Sequence, residues 1–167
     1  MNPNATGPRL FVNDVGGRKW EEIDNLQPGA DYGWNLCEGR HDNPDRRGRV
    51  DCNGPNFTGP IHEYNHKWTN CESITGGAFV PEGVWPTSYD DAYLFGDFVC
   101  GKSFKLTQKA GGGYGRNLFT RVPRPGPIAM DFGPHGTGQA LYYTTFAKAQ
   151  DSQVNGQVRR ISRTAGG

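Results

Sequence analysis

Residues Pro60–Trp68 read PIHEYNHKW, and the reading given to His62–His66 decides the fold. The run spells H-E-x-x-H, the zinc-hydrolase pattern, in which two histidines four residues apart share a helical face and a third ligand completes the site. The local chemistry opposes a helix. Gly59-Pro60 precedes the run, Thr69-Asn70 follows it, and Tyr64 and Asn65 are mediocre helix formers. In extended backbone His62 and His66 would share a face but lie two pleats apart, too far for one ion without bending. The segment is therefore expected to be extended and structural. A helix of more than two turns there would restore the zinc reading.

The composition around it agrees. The chain has 167 residues with 25 Gly and 12 Pro, and 12% aromatics. Hydrophobic residues make up only 34%, but the aromatics and the lack of charge blocks argue against disorder. Short aromatic and β-branched runs divided by Gly, Pro, Asn and Asp predict an all-β chain. A net charge of +1 leaves no electrostatic footprint for nucleic acid or an anionic membrane. The basic cluster at Asp45–Arg49 alternates with acid and reads as a solvated loop. No segment has the length and apolarity of a membrane span. The opening MNPNATGPRL lacks the apolar core of a signal peptide, so an exported protein would carry its leader outside this chain.

Cys37, Cys52, Cys71 and Cys100 form no C-x-x-C pair, which argues against a zinc ribbon or a thioredoxin-type site. Two disulfides, and with them a periplasmic or extracellular setting, are the expectation. Sequence permits three connectivities. Proximity favours Cys37–Cys52 across a polar loop and Cys71–Cys100 between neighbouring strands.

Three segments repeat one pattern of aromatic strand, break and shorter closing strand. They are Arg9–Asp14 with Trp20–Asp24, Ala92–Asp97 with Ser103–Leu106, and Ala140–Thr145 with Gly156–Ile161. Ser73–Val80 and Pro127–Phe132 read as strands leading into the second and third units. Self-similar antiparallel units of this kind are the sequence mark of β-propeller blades. Innermost strands are expected at Ile74–Phe79 and Ile128–Phe132, and middle strands at Leu10–Asn13, Tyr93–Phe95 and Leu141–Thr144. The count is roughly two and a half to three blades, where a closed ring needs about four to eight. Ring closure would require a longer chain or a homodimer. The chain is read as a single propeller domain over 1–167, with 33–70 a disulfide-containing insertion between blades.

The runs RLFVNDVGGRKWEEIDNLQPGADYGWNLCEG, PIHEYNH, SITGGAFV, AYLFGDF and ALYYTTFA...GQVRRI stand in an order that resembles the glucose/sorbosone dehydrogenase family. Its well-studied members are six-bladed propellers that oxidise sugars with pyrroloquinoline quinone (PQQ) and calcium. The resemblance runs from about Arg9 to Ile161 and matches only the C-terminal half of such a protein. It implies a missing N-terminal half of the propeller and a small-molecule sugar as substrate. It further implies that the turn at Val15-Gly16-Gly17 offers backbone oxygens to a cofactor-bound calcium. Glu22 would give a carboxylate, and Tyr32 a backbone carbonyl, to a second, structural calcium. Glycine suits such a turn because the backbone can approach an ion unobstructed.

The departures from the family pattern matter equally. The family's catalytic histidine lies in the half not represented here. A PQQ-contacting arginine falls at Cys100, and a PQQ-contacting lysine at Glu72. An anionic quinone needs cations at such positions, so PQQ oxidation by this chain alone is not expected. Neither catalytic nor cofactor-binding residues can be assigned. Two other readings compete with the sugar dehydrogenase. A calcium-dependent lactone hydrolase would use the metal as a Lewis acid, with His62, His66, Asp14, Asp97 or His135 as candidate base. A non-catalytic carbohydrate-binding or interaction module would use Trp20, Trp34, Trp68 and Trp85 as stacking platforms.

Overall fold

The computed structural model describes residues 9–146 and 156–162. The first three-stranded sheet contains β1 (Phe11–Asp14), β2 (Trp20–Asn25) and β5 (His62–Asn65) in that spatial order. Between β2 and β5 lies a small hairpin of β3 (Cys37–Glu38) and β4 (His41–Asp42). A single helical turn, α1 (His66–Thr69), follows β5. The second sheet is a four-stranded meander of β6 (Ile74–Phe79), β7 (Tyr93–Asp97), β8 (Lys102–Gln108) and β9 (Tyr114–Arg121). The third consists of β10 (Pro127–His135), β11 (Gly138–Thr145) and β12 (Val158–Ile161). All strand pairs are antiparallel. The chain is all-β, a partial propeller of three consecutive blades.

Within the second sheet β7 is buried on both faces, and its period of two explains how. Tyr93 and Phe95 point toward the first sheet and join Ile23, Tyr64, Ile74 and Phe104 in one core. Ala92 and Leu94 point the other way and pack with Met130, Leu141 and Tyr143 of the third sheet. Alternating residues of one strand thus belong to two cores, which is how stacked blades use a middle strand. The inner strands β6 and β10 meet closely: a Cβ at Gly76 would collide with the Ala129 backbone, and the Thr75 hydroxyl donates to the Pro127 carbonyl. Asn13 of β1 donates to the Thr75 carbonyl and accepts from the Tyr93 hydroxyl at 3.1 Å, tying the first blade to the second.

Both expected disulfides are present, Cys37–Cys52 and Cys71–Cys100. The zinc-like run is extended over His62–Asn65 but is a paired strand rather than a free connection, because each residue registers against β2 and Tyr64 enters the core. Extension stops at Asn65. Its side chain accepts from the Lys67 N–H, capping α1, and Asn70 ends the turn at φ 52. The expected inner strands appear as β6 and β10. The segment expected as a middle strand at Leu10–Asn13 is instead an edge, since no other described strand pairs with the outer side of β1. β9 and the β3–β4 hairpin were not expected from sequence. No helix among the described residues is long and apolar enough to cross a membrane.

Candidate functional site

The β1–β2 hairpin is rich in charge, and its register puts like charges side by side. Asp14 pairs with Glu22, and Glu22 pairs on its other side with Glu63 of β5. Asp24 lies one pleat along from Glu22 on the same face. Like charges directly opposite each other destabilise a sheet, so each must be answered. Glu63 is answered: its carboxylate accepts from the Arg40 N–H at 3.0 Å and sits 3.1 Å from His41 Nε2. Glu22 is answered at one oxygen only, where Oε1 accepts from the Gly39 N–H at 3.2 Å. Glu22 Oε2 and Asp24 Oδ1 are buried without a partner.

Glu22 is 5% exposed and Asp24 2%. Burial, with the neighbouring acids adding to it, pushes Glu22 up to about 8 and Asp24 up to about 7. Burial also raises Asp14, against the pull of the Val15 N–H. Oxygens of Asp14, Glu22 and Asp24 lie within 4.8 Å of one another. Calcium binds oxygen at about 2.3–2.6 Å, so two oxygens on one ion stand at most about 5 Å apart. Three converging carboxylates with orphaned, buried oxygens suit a hard divalent cation. A cation there would supply the charge that the sheet otherwise lacks.

The remaining residues expected from sequence are placed as follows. Gly16 and Gly17 form the turn between β1 and β2, and Gly16 is obligatory because any Cβ would strike the Trp20 carbonyl oxygen. Tyr32 is half-buried; its hydroxyl donates to the Asn25 carbonyl and accepts from the Gln27 N–H, both at 2.8 Å. The side-chain cluster thus joins Glu22 to Asp14 and Asp24, and the Tyr32 side chain is engaged elsewhere. The candidate bases are dispersed. His66 is 2.6 Å from Glu21 Oε1 on the opposite face of β2, and burial pushes that Glu21 up to about 7. His62 is pushed down to about 4 by burial and then by Arg116. Asp97 is fully buried and serves as an acceptor hub, while His135 contacts Arg160 at the end of β10. Glu72 is exposed and Cys100 is locked in a disulfide, so neither position carries a cation. Of the four tryptophans, Trp85 fills the second core, Trp20 stacks on His41 at 3.7 Å, and Trp34 and Trp68 are exposed.

No family model matches the chain. A solved glucose dehydrogenase superposes with a TM-score of 0.68 at 19% identity, over 96% of this chain and 42% of that one. The fold is that of the sugar dehydrogenases, in part. The apo-form soluble aldose sugar dehydrogenase from Escherichia coli gives a TM-score of 0.58 at 20% identity, covering 84% and 40%. The PQQ-bound aldose sugar dehydrogenase from Streptomyces coelicolor gives 0.53 at 19%, covering 82% and 34%. Among curated proteins, the HIPL2 protein of Arabidopsis thaliana is 36% identical over 90 residues, half of this chain and 13% of that protein. The chain therefore spans less than half the length of the proteins it matches.

Of the three clustered carboxylates, the sequence offers only Glu22 as a metal candidate; Asp14 stands among the candidate bases, and Asp24 is not among the candidates. A usable signal was present: acids at alternate positions inside a strand, where Asp is disfavoured, mark a face that something must neutralise.

Proposed function

We propose that this chain is the calcium-holding portion of a sugar dehydrogenase-type propeller, with Glu22 at the centre of the ion site and Asp14 and Asp24 beside it. The observation that carries this reading is the pair of orphaned buried oxygens, Glu22 Oε2 and Asp24 Oδ1, facing a third carboxylate. Tyr32 would add a backbone oxygen to that ion, and the Gly16-Gly17 turn would offer backbone oxygens to the separate, cofactor-bound calcium. Residues 1–167 form one propeller-type domain in this reading, and 33–70 is a disulfide-closed insertion whose last strand completes the first blade. Two disulfides favour an extracytoplasmic setting.

The class of reaction is the oxidation of an aldose, with PQQ accepting the electrons when it is bound. This chain's own contribution is to fix calcium and the turn beside it. The cations and base that the cofactor requires would come from a longer chain or a partner subunit, including a second copy. The test runs the purified chain with aldose, PQQ, calcium and a dye acceptor, beside a lactone with a pH indicator. Calcium binding without dye reduction is the expected result. Robust dye reduction by a monomer would show that Glu72 and Cys100 do not bar the cofactor. Calcium-dependent acid release from the lactone would make the protein a hydrolase, and sugar binding without turnover in either assay a binding module.

A further inference from the structure

Glu38 is 1% exposed, and among the described residues no Lys or Arg side chain forms a salt bridge with it. Its carboxylate instead takes three backbone donors. Oε1 accepts from the Arg18 N–H at 2.8 Å, and Oε2 from the Lys19 and Trp20 N–H groups at 2.9 and 3.3 Å. Those donors form the far limb of the turn that begins at Gly16-Gly17, and a Cβ at Gly17 would lie 3.2 Å from Glu38 Oε1. The next two residues reach the same region. Gly39 donates its N–H to Glu22 Oε1, and Arg40 donates its N–H to Glu63 Oε2. Gly39 has φ +59, and a Cβ there would collide with the Glu63 carboxylate, so only glycine lets the hairpin sit this close. The Cys37–Cys52 disulfide closes the loop immediately beside Glu38.

Three successive residues of one short hairpin therefore grip the turn, the central carboxylate and its neighbour. We propose that the β3–β4 hairpin is the clamp of the candidate cation site, with Glu38 as its positioning residue. By holding the Arg18–Trp20 backbone it fixes the Gly16-Gly17 turn. By engaging Oε1 of Glu22 through Gly39 it leaves Oε2 buried and without a hydrogen-bond partner beside the Asp14 and Asp24 carboxylates. This role rests on the calcium reading above.

Amide hydrogen exchange and calcium calorimetry on Glu38→Ala and Glu38→Gln test it, with Leu94→Ala as a control of comparable stability loss in the other core. Charge-assisted bonds to three amides predict that Glu38→Ala weakens calcium about ten-fold or more and deprotects the Arg18, Lys19 and Trp20 amides. Glu38→Gln keeps one acceptor oxygen and so covers the case in which the alanine variant fails to fold; it is expected to show the same changes in smaller degree. Leu94→Ala should leave calcium affinity within about two-fold, since distant sites act independently. Unchanged affinity in a folded Glu38 variant overturns the proposal, as does an equal loss in Leu94→Ala. A wild-type chain that binds no calcium overturns the cation reading itself, whereas fast exchange of the three amides in folded wild type overturns the clamp alone.

Discussion

Calcium is expected to raise the melting temperature of this chain strongly at pH 8 and barely at pH 5. Without a cation, Glu22 and Asp24 hold their protons up to about 8 and about 7, whereas in the unfolded chain they release them near 4. The folded state then binds more protons than the unfolded state across that window, so stability falls as pH rises through it. Each such group costs about 1.4 kcal/mol per pH unit while it remains protonated only in the folded chain. Glu21, also raised to about 7, adds to the fall and lies outside the cluster, so calcium does not reverse its share. His62 works in the opposite direction between about 4 and 6.5, because burial keeps it neutral in the folded chain. The decline is therefore cleanest from about pH 6.5 to 8. Calcium binds the ionised carboxylates and removes their penalty, so its benefit grows with pH. At 100 times its dissociation constant the ion adds about 2.7 kcal/mol, or roughly 5–10 °C for a domain of this size. Thermal unfolding at pH 5, 6.5 and 8, with calcium and with chelator, measures this. An equal calcium shift at pH 5 and pH 8 would contradict the assignment.

Asp97→Ala should be the most damaging single polar substitution. Asp97 is fully buried between the first two blades, where Oδ2 accepts from the Tyr64 hydroxyl at 2.7 Å and the Ser73 N–H at 3.0 Å. Its Oδ1 accepts from the Cys100 N–H at 2.9 Å. Removal leaves two buried donors and one half-buried donor without an acceptor, the buried ones each costing about 1–3 kcal/mol, for a loss of roughly 3–5 kcal/mol after relaxation. The melting temperature should fall by about 6–20 °C. Tyr64→Phe removes one of those donors, so the double variant should be less damaged than the sum of the two single ones. Simple additivity in urea unfolding would mean that the hub does not act as a unit.

The reach of the sequence followed what each residue's neighbours in the chain could reveal. Tyr93–Asp97 and its partner strands were legible because aromatic and aliphatic residues alternate between two cores, and that period survives in one dimension. β9 was not, since Tyr114–Arg121 is half-exposed and polar and looks like loop until it pairs with β8. His62–Asn65 was read as extended, but its strand partner lies far back in the chain at Trp20–Ile23. The disulfides followed from proximity. At the candidate site, the resemblance to sugar dehydrogenases points to Glu22, whereas Asp24 enters the sequence reading only as the end of the Trp20–Asp24 strand. The β3–β4 hairpin reaches the neighbouring Glu22 and Glu63, and nothing near them in sequence announces it. Glu38 was invisible for the same reason: its partners are backbone amides some twenty residues earlier, which carry no side-chain signature.

The central claim is that Asp14, Glu22 and Asp24 hold a hard cation, and calorimetric titration of calcium into the chelator-treated chain tests it most directly. Wild type should take up one ion per chain at the cluster, and Glu22→Gln and Asp24→Asn should each abolish that binding. Both variants should remain folded at pH 8 and resist heat better than the calcium-free wild type, because each replaces a carboxylate that ionises in a buried position. Calcium uptake of equal affinity in wild type and both folded variants, or no uptake by wild type at all, would contradict the account.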